Sequence, residues 1–313
     1  MKVTYNNNEI SVPDFLIIGA MRSGTTSLYS YLSSHPDIFM PTLKEPQFFS
    51  YLGEPVSPHP PEIRKEPWTL KDYVQLFNPA RQDQIIGEAS TSYLYIYPKT
   101  QKNIRMIYGP RTEELKIIGI LRNPIERAWS IYSLKRQGGD WKDDFLSYAE
   151  QFEIEGNKFQ YYNFVASGLY YQQVKAYQDM FPLTKFILFD EFINNPERTV
   201  RQCMEFLGVK EAKISRKVGK VYNYSGIPKN KIAEPIYRFL FSRYSAKSLL
   251  KPFIPEDIRV EVKRWLGSRI SRKDFMSIEI KGYLLRKFEK DLLQLVNLFQ
   301  EEQQKKIIKG WMV

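Results

Sequence analysis

Short apolar runs alternate with segments of helical periodicity over the first two thirds of the chain. Apolar runs bounded by turn residues are typical of strands buried on both faces of a parallel sheet. The runs are Asp14–Gly19, Ile85–Gly87, Leu115–Leu121 and Lys185–Phe189. Between the first two, apolar residues recur at helical spacing over residues 28–35, and Pro36 ends that pattern. Strands alternating with helices predict right-handed crossovers and a parallel sheet flanked by helices.

Further helices are predicted after the later strands and over the end of the chain. Asn123–Glu126 supplies a cap, a proline at the first helical position and a capping-box glutamate, and a second helix is predicted near Pro196–Leu207. Beyond about residue 230 the pattern is helical, over Ala233–Tyr244, Pro255–Gly267 and Gly282–Gln303. Residues 54–67 contain five prolines and are predicted to form a surface excursion. We predict one α/β domain over residues 1–313, with its α/β core in 14–230 and a helical C-terminal portion in 231–313.

Composition narrows the class of protein. The 313 residues are 43% hydrophobic and 26% charged, which excludes collagen-like, disordered and disulfide-scaffold proteins. Cys203 is the only cysteine, so no intrachain disulfide can form, and a reducing cytoplasmic location is expected. With two histidines, His35 and His59, a structural zinc site is not expected. No apolar run approaches the roughly 18 residues of a membrane span, and the first residues do not resemble a signal peptide.

Positive charge is concentrated in the last third of the chain. The net charge is +11, yet residues 1–208 carry −2 and residues 209–313 carry +13. One interpretation is a solvated, lysine-rich helical surface. The other is a field that attracts an anion, such as nucleic acid, a membrane, an acidic acceptor or a phosphorylated co-substrate.

A glycine-bearing turn follows the first apolar run. Residues Gly19–Thr26 (GAMRSGTT) have the glycine spacing of a nucleotide-binding P-loop, in which backbone amides and a helix N-terminus hold phosphate. Thr25 stands where an NTPase has its lysine, and a cation, Arg22, lies inside the loop instead. Hydroxyls with one guanidinium suit a ligand that ends in a compact anion and has no γ-phosphate.

This loop resembles that of the sulfotransferases that use 3′-phosphoadenosine 5′-phosphosulfate (PAPS), and most closely their heparan-sulfate and bacterial branch. The resemblance implies a P-loop-like sulfotransferase fold, a PAPS co-substrate that leaves as adenosine 3′,5′-bisphosphate, and no metal. It also implies which residues hold the 5′-phosphosulfate: Arg22, Ser23, Gly24, Thr25, Thr26 and Ser27.

A second segment, Leu121–Ser130, is similar to the 3′-phosphate motif of that family. Arg122 at a strand end and Ser130 eight residues later fall on the two motif positions. A guanidinium at the carboxyl edge of a sheet can make a charge-assisted contact with phosphate, although an ordinary salt bridge is the alternative. Arg127 is interpreted as structural or solvated.

Two carboxylates are candidates for the base that deprotonates the acceptor. Lys44–Phe49 (KEPQFF) resembles the family segment whose glutamate is assigned that role, which makes Glu45 the first candidate. Its alternative is an ion pair with Lys44 or Arg22. Glu88, in a looser match over Gly87–Tyr93, is the second candidate, and could instead orient the acceptor or an arginine.

Other expected contacts are less specific. Tyr170 lies in a segment similar to a turn of the family, and either lines the acceptor site or belongs to the core. The basic, aromatic segment Lys217–Lys231 takes the place of the loop that closes over the nucleotide, with Tyr222 or Tyr224 to stack on adenine and Lys229 or Lys231 to contact phosphate.

These features together predict transfer of a sulfuryl group from PAPS to a hydroxyl or amine of a small-molecule or glycan acceptor, with Arg22 offsetting charge on the departing phosphate. Two alternatives stay open. One is a kinase or NTPase with a degenerate loop, and the other is a basic module that binds nucleic acid or acidic lipid. No nucleic-acid partner is expected for the favoured function, and the oligomeric state is not predicted.

Overall fold

The computed structural model describes residues 1–54, 69–138, 143–154, 163–210, 227–228, 265, 269, 271–272 and 275–312. Its central element is a parallel five-stranded sheet of order β4-β5-β3-β6-β7, and two antiparallel pairs, β1–β2 and β8–β9, lie outside it. The strands are β1 (Lys2–Tyr5), β2 (Asn8–Ser11), β3 (Phe15–Gly19), β4 (Ile38–Phe39), β5 (Ile85–Ala89), β6 (Lys116–Leu121), β7 (Thr184–Leu188), β8 (Ile227–Pro228) and β9 (Ser271–Arg272).

Helices follow most strands of the central sheet. They are α1 (Thr25–Leu32), α2 (Phe48–Tyr51), α3 (Leu70–Gln75), α4 (Ser92–Tyr95), α5 (Tyr97–Tyr108), α6 (Pro124–Gly138), α7 (Phe145–Ile154), α8 (Tyr170–Met180), α9 (Phe189–Asn194), α10 (Pro196–Leu207), α11 (Ile278–Val296) and α12 (Glu301–Trp311). Two short 3₁₀ helices cover Gly109–Glu114 and Ala166–Gly168. The predicted fold class, a central parallel sheet flanked by helices, is confirmed.

The chain divides into two compact units. The first comprises Met1–Pro124, Leu169–Lys220 and Glu289–Val313, and contains the whole central sheet. The second comprises Ile125–Gly168 and Val221–Phe288. The single domain expected over residues 1–313 stays a prediction.

Full burial explains why the strands could be predicted from apolar runs. Every residue of β3 is buried, and β6 is buried except for its first residue, because both lie inside the sheet with neighbours on either side. All four predicted strands are present, with ends shifted by one or two residues. Helix α10 has the predicted bounds: the side chain of Asn195 accepts from the amide of Arg198 at its start, and Gly208 ends it with φ +79°.

Several elements differ from expectation. The β1–β2 hairpin was not predicted, because its strands are short and largely polar; a tight turn at Asn6 and Asn7, with φ of +47° and +61°, joins them. The single helix predicted over Gly282–Gln303 is wrong: successive turn bonds over residues 297–299 end α11, and α12 begins at Glu301. The helix predicted at 233–244, the helix predicted at 255–267 apart from residue 265, and nearly all of the proline-rich segment fall outside the described residues.

The second unit has an aromatic core around a buried arginine. Phe145 contacts the rings of Tyr132 and Phe164 at centroid distances of 5.3 and 4.6 Å. Arg127 is 1% exposed and donates to the carbonyl oxygen of Phe164 and the hydroxyl of Ser167. Arg127 is therefore structural, which is one of the two roles expected for it.

Candidate functional site

The strand order brings three loops to one edge of the sheet. Strand β3 pairs with β5 on one side and β6 on the other, all in parallel. Because parallel strands end at the same edge, the segments after β3, β5 and β6 meet there. These segments contain the glycine-bearing loop, residues 90–91 and Arg122 respectively.

The loop after β3 reaches α1 through left-handed backbone conformations. Arg22 has φ +74° and Gly24 has φ +86°. A Cβ on Gly24 would lie 3.1 Å from Phe192 and 3.2 Å from Phe189, so position 24 requires glycine for its conformation and for space. Within the part of the chain that the structure describes, no side chain caps α1, and its first turn has no acidic residue. An uncapped N-terminus with amides pointing outward favours an anion.

Ser23 is a buried donor inside this loop. Its side chain is 0% exposed, and its hydroxyl has no hydrogen-bond partner among the residues the structure describes. A buried hydroxyl without a partner costs free energy, and a bound anion would remove that cost. Thr25 and Thr26 are the first two residues of α1, whereas the amide of Ser27 already donates to the carbonyl of Gly24. The loop residues therefore fit a phosphate-like group, with Ser27 contributing least through its backbone.

Two arginines meet at the loop. A guanidinium nitrogen of Arg122 donates to the carbonyl oxygen of Arg22 at 3.3 Å. Burial, and next the positive charge of Arg122, lower the pKa of Arg22 to about 10. The guanidinium of Arg122 also lies over the ring of Phe189, 4.9 Å from its centroid. Two neighbouring cations repel each other, so their placement favours a ligand with negative charge.

Glu45 lies on the loop before α2 and is accessible to solvent. Its backbone has φ +61°, and its amide donates to the carbonyl of Ala89 at the end of β5. The carboxylate oxygens contact different partners: Oε1 is 2.6 Å from the ammonium of Lys44, and Oε2 accepts from the hydroxyl of Thr91 at 3.1 Å. One quarter of the side chain is exposed. The ion pair with Lys44 that the sequence offered as an alternative is present, and it leaves Glu45 reachable by an acceptor.

Glu88, the second candidate base, is enclosed. It is 0% exposed and accepts hydrogen bonds from Ser90 at 2.6 Å, Tyr93 at 2.6 Å and Tyr73 at 3.2 Å. Burial raises the pKa of Glu88 to about 7, the three hydroxyl donors oppose this shift, and the charge of Glu45 adds to it. With its oxygens bonded to three hydroxyls, Glu88 is placed to hold the surrounding residues rather than to meet an acceptor.

Sequence reasoning missed the hydroxyl partners of the two carboxylates. Thr91 and Ser90 lie in the segment matched to the family motif, but neither was singled out. Ser90 joins the two carboxylate loops, because its hydroxyl donates to Glu88 and accepts from the amide of Gln47 at 2.9 Å. No local signal identifies them, because the bonds of Ser90 to Gln47 and of Thr91 to Glu45 join residues more than 40 positions apart.

The remaining candidates take different positions. The ring of His35 is held between the amide of Asp37 and the carbonyl of Lys210, as a structural histidine would be. Tyr170 is 0% exposed, so of its two expected roles it belongs to the core. Ser130 lies on α6 in the second unit and is 7% exposed. His59, Tyr222, Tyr224, Lys229 and Lys231 fall outside the described residues.

Among the residues with described placement, no three His, Cys, Asp or Glu side chains are grouped so that they could hold a metal ion. Likewise, none of the helices there combines the length and apolar character needed to cross a membrane.

Comparison with known proteins identifies the family. The family model of the sulfotransferase domain matches residues 12–266. The chain is 28% identical over 200 residues to heparan sulfate glucosamine 3-O-sulfotransferase 6 of Mus musculus, covering 63% of this chain and 53% of that protein. It is 26% identical over 211 residues to the human bifunctional heparan sulfate N-deacetylase/N-sulfotransferase 2, covering 63% of this chain and 22% of that one. The chain thus spans about half of the first relative and less of the second.

A solved structure supports the same assignment over almost the whole chain. The crystal structure of a sulfotransferase from Alicyclobacillus acidocaldarius superposes with a TM-score of 0.68 at 25% identity, and the match covers 95% of this chain and 100% of that one. The resemblance inferred from the residues after β3 is therefore confirmed. Because the family model covers most of the sequence, the chain belongs to the sulfotransferase family of enzymes.

Proposed function

We propose that the enzyme transfers a sulfuryl group from PAPS to a hydroxyl or amine of a small-molecule or glycan acceptor. One observation carries the proposal: Arg22 and Arg122 meet at the start of α1, beside the buried hydroxyl of Ser23. Among the residues with described placement, no side chain caps α1 and nothing hydrogen-bonds to that hydroxyl. Sulfuryl transfer follows from the family, and this cluster supports an anionic donor. The two heparan sulfate relatives support a glycan acceptor. One is an O-sulfotransferase and the other an N-sulfotransferase by name, which supports either oxygen or nitrogen as the acceptor atom.

The loop residues divide the binding of the donor between them. The hydroxyl of Ser23 and the first-turn groups of Thr25 and Thr26 would hold the 5′-phosphosulfate, and Arg122 would hold the 3′-phosphate. PAPS supplies an activated sulfuryl group attached to a phosphate leaving group. Arg22 keeps its positive charge at neutral pH, because its pKa of about 10 lies well above 7. It can therefore offset negative charge at the phosphate.

Glu45 is the proposed general base. An acceptor hydroxyl has a pKa far above 7, so a carboxylate must take its proton as the oxygen attacks sulfur. Glu45 is exposed enough to be reached, and Lys44 and Thr91 fix the direction of its two oxygens. The proton then resides on the Glu45 carboxylate. Glu88 stays the alternative, although its enclosure favours a positioning role.

A nucleotide titration tests the donor. We expect adenosine 3′,5′-bisphosphate to bind more tightly than ATP–Mg²⁺ in calorimetry, because Thr25 replaces the lysine that would reach the β- and γ-phosphates. Tighter binding of ATP–Mg²⁺ would instead support a kinase or NTPase. Equal affinities for the two nucleotides that both fall steeply as the salt concentration rises would support the basic module that binds nucleic acid or acidic lipid.

An acceptor screen tests the reaction itself. The enzyme is incubated with sulfur-labelled PAPS and a panel of phenols, aliphatic alcohols, amino sugars and N-sulfated glucosamine oligosaccharides. Mass spectrometry then locates the transferred group on oxygen or nitrogen. The heat-denatured enzyme is the control, and no labelled product with any acceptor class would contradict the proposal.

A further inference from the structure

The last two helices lie beyond the segment matched by the family model, yet they bond to the strand end that carries Arg122. The family match ends at residue 266, whereas the C-terminal part of the first unit covers residues 289–312 in the structure. Three hydrogen-bonded connections run from these residues towards Arg122. Together they define what we call the C-terminal brace: Asp291, Gly310 and Trp311.

The first connection runs through Tyr170. The carboxylate of Asp291, on α11, accepts from the backbone amides of Tyr170 at 2.7 Å and Tyr171 at 3.1 Å, and so caps the start of α8. The hydroxyl of Tyr170 then donates to the carbonyl oxygen of Arg122 at 3.1 Å. Because Tyr170 is 0% exposed, its ring cannot move without disturbing the core.

The second connection is direct. The side-chain amide of Asn123 donates to the carbonyl oxygen of Gly310, in the last turn of α12, at 3.1 Å. Asn123 follows Arg122 immediately, so the carbonyl oxygen of the Arg122–Asn123 peptide and the side chain of Asn123 are both tied to the C-terminal helices. Contacts of this kind fix where the Arg122 side chain leaves the sheet edge.

The third connection supports the ring on which the Arg122 guanidinium lies. The indole N–H of Trp311 donates to Oδ2 of Asp190 at 3.2 Å, and Trp311 is 1% exposed. Asp190 follows Phe189, whose ring lies under the Arg122 guanidinium. Trp311 also packs near Tyr170, with ring centroids 6.4 Å apart, so the connections through Tyr170 and Trp311 support each other.

We propose that the C-terminal brace positions Arg122 for the 3′-phosphate of the nucleotide. Tyr170, Asp291 and Trp311 are positioning residues, which act through Arg122 and not on the ligand. A bidentate arginine–phosphate contact depends on the direction of the guanidinium, so loosening its support weakens that contact selectively. The ligand in this statement rests on the proposed function.

Discrimination between two nucleotides tests the brace. Dissociation constants are measured for adenosine 3′,5′-bisphosphate and 5′-AMP, and their ratio reports the 3′-phosphate contact alone. We expect Arg122→Ala to reduce the ratio about 10- to 100-fold, and Tyr170→Phe or Trp311→Phe to reduce it about fivefold. Two control variants lie on α12. Ile307→Ala, in the core, should lower Tm and leave the ratio unchanged. Lys305→Ala, on the surface, should change neither Tm nor the ratio.

A second readout does not require a nucleotide. The rate at which phenylglyoxal modifies Arg122, followed by peptide mass spectrometry, should rise in Tyr170→Phe and Trp311→Phe but not in Ile307→Ala. The proposal would be overturned if Tyr170→Phe and Trp311→Phe changed neither the ratio of dissociation constants nor the rate of phenylglyoxal modification. An equally large change in Ile307→Ala would also overturn it. If the wild type does not distinguish the two nucleotides while the reactivities change as expected, the assignment of the 3′-phosphate fails and the positioning of Arg122 stands.

Discussion

At the scale of single residues, the cation of the glycine-bearing loop lies at a different position from the lysine of an NTPase. Thr25 occupies the place of the P-loop lysine, and the cation of this loop is Arg22, three residues earlier in the sequence. The backbone of Arg22 is left-handed, with φ +74°. The charge is therefore supplied from within the loop, next to the guanidinium of Arg122. This arrangement suits the single reacting anionic centre of the proposed donor.

Replacing Arg22 tests its role in the transition state. We expect Arg22→Ala to lower kcat about 10²–10³-fold at saturating PAPS, which is the effect of losing one transition-state donor. Arg22→Lys should retain more activity because it keeps the charge. Arg81→Ala, an exposed arginine in an ion pair with Asp83, is the matched control. Turnover that Arg22→Ala leaves intact would remove Arg22 from the mechanism.

Replacing Glu45 separates binding from chemistry. Glu45→Gln removes the proton acceptor but keeps the shape of the side chain, so we expect the affinity for adenosine 3′,5′-bisphosphate to stay within about twofold and kcat to fall about 10²–10⁴-fold. Calorimetry and a transfer assay measure the two effects. If Glu45→Gln remains active while Glu88→Gln is inactive and folded, the base is Glu88.

At the scale of elements, α1 depends on a glycine that faces two phenylalanines. Gly24→Ala should destabilise the protein and weaken nucleotide binding, because its Cβ would meet Phe192 and Phe189 at 3.1–3.2 Å in addition to the strain of φ +86°. Gly53→Ala is a close control: φ is +78° there, and nothing lies within 4 Å of the added Cβ. We expect Gly24→Ala to lower the free energy of unfolding by about 1–3 kcal/mol more than Gly53→Ala, measured by urea denaturation. Equal losses would mean that crowding at Gly24 has no effect.

The elements that sequence could predict are those whose burial is uniform. Strands β3 and β6 read as continuous apolar runs because helices cover the sheet on both faces. The β1–β2 hairpin and the two-residue β4 have no such run, since short edge or surface strands keep polar side chains. The order of the strands, which places Arg122 beside Arg22, follows from packing between distant segments and has no local signal.

In the candidate site, too, only features with a local sequence signal could be predicted. The loop residues, Arg122 and Glu45 could be selected from motifs whose chemistry is local. The enclosure of Glu88 could not, because the predicted strand ended at Gly87 whereas β5 continues to Ala89. A residue expected in an open loop is therefore inside the sheet. The C-terminal brace was also invisible, since its bonds join residues more than 100 positions apart.

At the scale of the whole molecule, Glu88 makes stability depend on pH. Its pKa of about 7 in the folded protein lies above its usual value of 4.5, because burial disfavours the charged form. The folded state therefore binds this proton more tightly than the unfolded state. The resulting stabilisation is complete below about pH 4.5 and is lost as pH rises through 7.

The Glu88→Gln variant should remove that dependence. Relative to the variant, we expect the wild type to lose about 3 kcal/mol of unfolding free energy between pH 4.5 and 8, which corresponds to the rise in the pKa of Glu88 from 4.5 to about 7 at 1.36 kcal/mol per unit. Urea denaturation at several pH values measures the difference. Glu301→Gln, on an exposed ion pair of α12, should show no such trend. Parallel pH curves for wild type and Glu88→Gln would contradict the raised pKa.

The left-handed backbone at Arg22, Glu45 and Gln47 has a consequence for attempts to engineer this enzyme. Each is a non-glycine residue with φ between +55° and +74°, a conformation that costs about 1 kcal/mol or more at such residues. A search for thermostabilising substitutions that considers only the relief of backbone strain would select glycine at all three positions. Two of the three carry the proposed charge stabiliser and base, so heat resistance gained there would be exchanged for turnover.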